Sequence, residues 1–136
     1  MDLIEKQCSK LKGPYHFGLD ITNKCNYRCL HCYNSSGDNN SLSNEMSDAE
    51  VLDVVRDLAS VKPCGFCFCG GEPLLRLELL LKCCDILYEN GIHNIAIVSN
   101  GYYFTEEVAK KLKQHHVNNV QNRRCRKYGD FGNCIQ

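Results

Sequence analysis

A chain of 136 residues, 43% of them hydrophobic and 24% charged, suits one globular domain with a modest core. Its formal net charge is zero, so no general polyanion-binding field is expected and nucleic acid is an unlikely partner. The most apolar segment, Leu74 to Leu81, is broken by Arg76 and Glu78, and the opening "MDLIEKQCSKLKG" lacks the apolar core of a secretory signal. The expectation is therefore a cytoplasmic chain with no membrane span.

Along the chain, short apolar runs alternate with longer amphipathic ones, the pattern of successive strands and helices. Phe17 to Thr22 reads as a first strand. The loop "CNYRCLHCY" follows, then a polar stretch, "NSSGDNNSLSN". Ser47 and Glu50 form a capping box that opens a helix with Val51, Val54, Val55 and Leu58 on one face, ending near Ser60. "GFCFC" is a second strand and "GGEP" follows it. From about Leu75 to Asn90 the pattern is helical, and Gly91 can stop that helix in a left-handed conformation. "NIAIVSN" is a third strand, Thr105 caps a third helix with Val108 and Leu112 inward, and "VNNVQ" opens a fourth strand.

Three strand-helix pairs in series predict an α/β fold with a parallel sheet built by right-handed crossovers. Ligand chemistry in such a fold gathers beyond the carboxyl ends of the strands. "CNYRCLHCY", "GGEP" and "SNG" each follow one of the three strands.

Eleven cysteines in a chain without a signal peptide favour metal binding over a disulfide framework. Cys25, Cys29 and Cys32 are spaced C-x3-C-x2-C, and three thiolates so placed can each hold one iron of a cubane while a fourth iron stays open. Two alternatives stand beside this reading. His31 can complete a Cys3His zinc set, or Cys29 and Cys32 can act as a C-x-x-C redox pair. At Gly70, Gly71, Glu72 and Pro73, two glycines permit close backbone approach to a ligand and the carboxylate can accept bonds from an ammonium. The same four residues also suit an ordinary strand-to-helix turn. Ser99 and Asn100 are polar strand-end residues that can face a ligand or only close a turn, and Asp20 and Thr22 end strand one near the same place. Cys64, Cys67, Cys69, Cys83 and Cys84 are expected to pack as small hydrophobes. His115 and His116 are expected to meet a helix dipole and solvent. Cys8 has no reading.

"CNYRCLHCY", with an aromatic behind its last cysteine, and "GGEP" resemble the two signatures of the radical SAM superfamily over roughly residues 14 to 121. The resemblance implies a [4Fe-4S] cluster on Cys25, Cys29 and Cys32, with S-adenosyl-L-methionine chelating the open iron. One electron from the reduced cluster would cleave the sulfonium to methionine and a 5′-deoxyadenosyl radical that abstracts hydrogen from a substrate. It also implies Tyr33 beside the adenine, Gly70 to Pro73 at the methionine amino group, Ser99 and Asn100 at the ribose or carboxylate, and an electron donor such as flavodoxin or ferredoxin. A complete core in that family has six strand-helix units in a partial TIM-like barrel. This sequence carries three and the start of a fourth, so a half-length core over residues 1–121 is expected, as though the middle of a longer protein were missing. A second subunit or an oligomer would complete such a barrel. Residues 122–136, basic and bearing Cys125 and Cys134, loosely resemble the SPASM extension of peptide- and protein-modifying members, which implies a peptide or protein substrate. The same basic tail can equally be a solvated end or a patch for an acidic partner. Alternatives to an enzyme are a truncated, non-catalytic relative that binds cluster and cofactor, and a zinc or thiol-redox module.

Overall fold

The computed structural model describes residues 13–29, 32, 36 and 44–122. Four parallel strands, β1 (His16–Thr22), β2 (Gly65–Gly70), β3 (Ile95–Ser99) and β4 (Asn119–Asn122), stand side by side in chain order. Sequential parallel neighbours joined by right-handed crossovers put every connecting helix on one face. The helices are α1 (Asp48–Ser60), α2 (Leu77–Glu89) and α3 (Glu106–Gln114).

Local signals account for most of the boundaries. Ser47 accepts from the Glu50 amide while the Glu50 carboxylate accepts from the Ser47 amide, the reciprocal box that opens α1. Thr105 caps α3 by accepting from the Val108 amide. Gly91, at φ +83°, ends α2 in the left-handed region that favours glycine. The expected single helix from Leu75 is instead two pieces. Pro73–Arg76 is a 3-10 turn with Glu72 accepting from the Leu74 amide, and the α-helix begins only at Leu77.

The core lies between the sheet and its helices. Ile21, Phe66, Phe68, Ile95 and Ile97 from the strands meet Val51, Val55 and Ala59 of α1 and Leu79, Leu80 and Leu87 of α2. Each fully buried Leu, Ile or Phe contributes about 1.5–3 kcal/mol of transfer free energy. Val54 and Leu58, expected on the inward face of α1, lie at its margin and are only half-buried. Cys83 and Cys84 fill core space as expected, and burial pushes the Cys83 thiol up to about 12 and raises that of Cys84 as well.

Cys67 and Cys69 depart from that expectation. Phe66 and Phe68 take the buried face of β2, so the alternation of the strand turns the two cysteines to the helix-free face, where they are half-buried. Cys64 is also half-buried, just ahead of β2. His115 and His116 depart too. His115 Nδ1 sits 2.9 Å from the Asp85 carboxylate, and His116 stacks on Tyr88 with ring centroids 3.6 Å apart. Among the described residues, no helix is long and apolar enough to cross a membrane.

Candidate active site

At the carboxyl end of β1 the register slips: Asp20 pairs with Cys69 but Thr22 pairs with Gly70, leaving Ile21 as an extra residue. Ile21 continues the inward face of Phe17 and Leu19, and at the slip Thr22 is buried as well. The Ile21 carbonyl accepts from Arg76 at 2.8 Å, and the same guanidinium reaches the Met46 carbonyl at 3.2 Å and the Asp48 carboxylate. Arg76 therefore ties the end of β1 to the start of α1 across the base of the cysteine loop. Glu45 adds a second tie, accepting from the Thr22 hydroxyl at 2.7 Å and the Asn23 amide at 2.6 Å. Burial opposes the charge on Glu45, but these two bonds and nearby Lys24 outweigh it and hold the carboxyl below its usual range.

The two glycines after β2 are required by close approach. The Gly71 amide donates to the Thr22 carbonyl and the Glu72 amide to the Lys24 carbonyl, both at 2.9 Å. A methyl group on Gly70 would overlap the Thr22 carbonyl, and one on Gly71 would overlap that of Lys24. Gly70 also has φ +116°. The "GG" segment is thus pressed backbone to backbone against the chain that leads into the cysteine loop.

Glu72 is fully buried. Its carboxylate accepts from the Ser99 hydroxyl at 3.0 and 3.2 Å, from the Asn100 amide at 2.8 Å and from the Leu74 amide at 3.1 Å. Such a buried carboxylate is stable because donors surround it. In this arrangement it braces the ends of β2 and β3 against each other. Pro73 is buried beside it. Ser99, itself buried, also accepts from the Gly101 amide at 3.0 Å.

Asn100 carries the brace to the cysteine loop. Its backbone amide is held by Glu72, while its side-chain Nδ2 donates to Asn26 Oδ1 at 2.8 Å and approaches Cys25 Sγ at 3.8 Å. Around the loop sulfurs, the Tyr27 amide points at Cys25 Sγ from 3.4 Å and the Ser36 amide at Cys32 Sγ from 3.3 Å. Hydrogen bonds to sulfur of this kind are among the features that tune an iron-sulfur group. This donor set fits an iron-sulfur group. Cys29, by contrast, is disulfide-bonded and must be reduced before it can ligate. Among the described residues, no group of three His, Cys, Asp or Glu side chains stands together so as to hold a metal ion.

The three expected segments thus meet at one end of the sheet: the cysteine loop, Gly70 to Pro73, and Ser99 with Asn100. Asp20, in contrast, lies exposed. Tyr33, His31, Cys8, Cys125 and Cys134 lie outside the described residues. Asn26, Glu45 and Arg76 belong to the site and carried no sequence signal, because each acts through a partner distant along the chain.

The Radical SAM superfamily model matches residues 19–121. The Fe-coproporphyrin III synthase of Methanosarcina barkeri is 36% identical over 108 residues, covering 79% of this chain and 26% of the relative. The GTP 3',8-cyclase of Lactiplantibacillus plantarum is 31% identical over 97 residues, covering 71% of this chain and 29% of that enzyme. Among solved structures, BtrN in complex with AdoMet and 2-DOIA superposes with a TM-score of 0.63 at 23% identity, covering 80% of this chain and 45% of BtrN. Streptococcus suis SuiB bound to precursor peptide SuiA superposes with a TM-score of 0.64 at 17% identity, covering 86% of this chain and 26% of SuiB. The chain spans 26% to 36% of the length of the curated relatives that it matches.

Proposed function

Because the chain belongs to the Radical SAM superfamily, we propose that its carboxyl-end site holds a [4Fe-4S] cluster on Cys25, Cys29 and Cys32 and binds S-adenosyl-L-methionine beside it. When bound, the cluster and cofactor supply a 5′-deoxyadenosyl radical. The chain's own residues provide the setting. The Tyr27 and Ser36 amides aim at Cys25 and Cys32 and stabilise negative charge on sulfur. Asn100 holds the loop through Asn26, and Glu72 holds Asn100 in turn. Gly70 and Gly71, lacking side chains, let the backbone press against Thr22 and Lys24 at the base of the loop, and the carbonyls of this segment are offered to the methionine moiety. With Glu72 occupied by Ser99, Asn100 and Leu74, its role here is to set that backbone rather than to meet an ammonium directly.

The observation that carries the reading is Asn100, which joins all three motif segments through bonds from one residue. The electron is to come from a small donor such as flavodoxin or ferredoxin. A peptide or protein substrate is the outer part of the proposal and rests on the resemblance of the tail around Cys125 and Cys134. A second reading is binding of cluster and cofactor without turnover.

Anaerobic reduction and reconstitution with iron and sulfide, followed by metal analysis and assay for 5′-deoxyadenosine, tests the proposal. Iron with acid-labile sulfide and formation of 5′-deoxyadenosine are expected. Iron and sulfide without that product would select the second reading, and zinc without sulfide would overturn both.

A further inference from the structure

The chain leaving β1 is fastened before it reaches the first cysteine. Glu45, which follows the cysteine loop in the chain, accepts from the Thr22 hydroxyl at 2.7 Å and from the Asn23 amide at 2.6 Å, both through Oε1. Holding the two ends of the loop together removes conformations that it would otherwise explore.

Each of these contacts is carried on to a sulfur by a further bond. Thr22 Oγ1, which donates to Glu45, accepts from the amide of Lys24 at 3.1 Å, and Cys25 is the next residue. Asn23 Oδ1 accepts from the Ser36 hydroxyl at 3.3 Å, and the Ser36 amide points at Cys32 Sγ, also from 3.3 Å. One carboxylate oxygen therefore stands at the root of two arms, one leading to Cys25 and one to Cys32. Both arms have a firm backing. Thr22 is buried, its carbonyl accepts from the Gly71 amide, and the Lys24 carbonyl accepts from the Glu72 amide. On the other side of the junction, Arg76 holds the Ile21 and Met46 carbonyls, the neighbours of Thr22 and Glu45.

We propose that Glu45 is a positioning residue that sets the separation of Cys25 and Cys32, a role that rests on the cluster proposed above for their loop. It acts through Thr22 and Asn23. The requirement is for an acceptor rather than for charge, because a single oxygen receives both bonds. A glutamine carbonyl in that place can accept the same two, whereas alanine accepts neither.

Glu45→Ala and Glu45→Gln are compared with the wild-type chain after anaerobic reduction and reconstitution with iron and sulfide. Release of iron to a chelator should quicken about tenfold in Glu45→Ala, the size of effect produced by losing residues that orient metal ligands. The electron paramagnetic resonance line shape of the reduced cluster should change as well, and Glu45→Gln should restore both. In the reduced, cluster-free chain, amide hydrogen exchange at Asn23 and Lys24 should be faster in Glu45→Ala and unchanged in Glu45→Gln. A general loss of stability would instead speed exchange across the whole sheet and leave the spectrum unaltered. Wild-type release and spectrum in Glu45→Ala would overturn the proposal. Equal impairment in Glu45→Gln would also overturn it, by making charge and not the shared acceptor responsible. If Glu45→Ala fails to fold, Thr22→Val decides by removing the arm to Lys24: faster release with an altered spectrum supports the proposal, and wild-type behaviour refutes it. A wild-type chain that takes up no iron and sulfide would sink the cluster reading itself, and this role with it.

Discussion

Two pairs of cysteines in this chain occupy opposite environments. Cys83 and Cys84 lie in α2 among leucines, and burial drives their thiols upward, to about 12 for Cys83. Cys25 and Cys32 lie in a loop at the carboxyl end of β1, half-buried, with the Tyr27 and Ser36 amides aimed at their sulfurs. One pair is held neutral and used for volume. The other is supplied with amide donors aimed at its sulfurs. The residue type is the same, so the surroundings decide whether a cysteine packs or ligates.

Exchanging the effects of the two pairs is the strongest way to break that contrast. Cys25→Ala should abolish iron and sulfide retention after reconstitution while leaving the unfolding midpoint nearly unchanged. Cys25→Ala protein that still carries a full complement of iron and sulfide would remove Cys25 from the ligand set. Gly71→Ala sharpens the contrast by moving the loop without touching a thiol. The added methyl displaces the Lys24 carbonyl and its bond from the Glu72 amide, which should cost about 3 kcal/mol in urea unfolding and lower cluster retention. A neutral result would mean that the backbone contact does not position the loop.

Glu72→Ala leaves the Ser99 hydroxyl and the Asn100 and Leu74 amides without their acceptor. Stability should fall by about 2–3 kcal/mol, and cofactor affinity should fall with it because the Gly70–Gly71 backbone loses its brace. Binding that weakens with no loss of stability would instead mark the carboxylate as a direct ligand. Cys84→Ala, the reciprocal of the first variant, should cost about 1–2 kcal/mol through lost packing and keep full iron and sulfide.

The smallest effect concerns Glu45. Its carboxyl is held below the usual range when folded, so its contribution is complete above the ordinary carboxylate value and fades as pH falls through the lowered one. Glu45→Gln should flatten the acid side of the stability profile and change little at neutral pH. Parallel profiles for the two proteins would show that the bonds to Thr22 and Asn23 do not couple to folding.

Local chemistry made much of this architecture readable. The Ser47 and Glu50 box, the Thr105 cap, left-handed Gly91 and the strand alternation are all set by neighbours within a few residues. The cysteine spacing and "GGEP" likewise marked two of the segments that meet at the carboxyl end of the sheet. What escaped is non-local. Glu72 meets Ser99 and Asn100 across 27 and 28 positions, Arg76 meets the Ile21 carbonyl across 55, and His115 meets Asp85 across 30. No window of sequence displays such pairs. Cys67 and Cys69 are a different case: their spacing of two in "GFCFC", opposite two phenylalanines, held the period that turns them out of the core.

The most direct measurement is the electron paramagnetic resonance spectrum of the anaerobically reconstituted, reduced protein, recorded with and without S-adenosyl-L-methionine. The account predicts a reduced [4Fe-4S] signal that shifts when the cofactor is added, because an open iron in the loop of Cys25, Cys29 and Cys32 is chelated. A signal indifferent to the cofactor, or no such signal from protein that is otherwise folded, would contradict it.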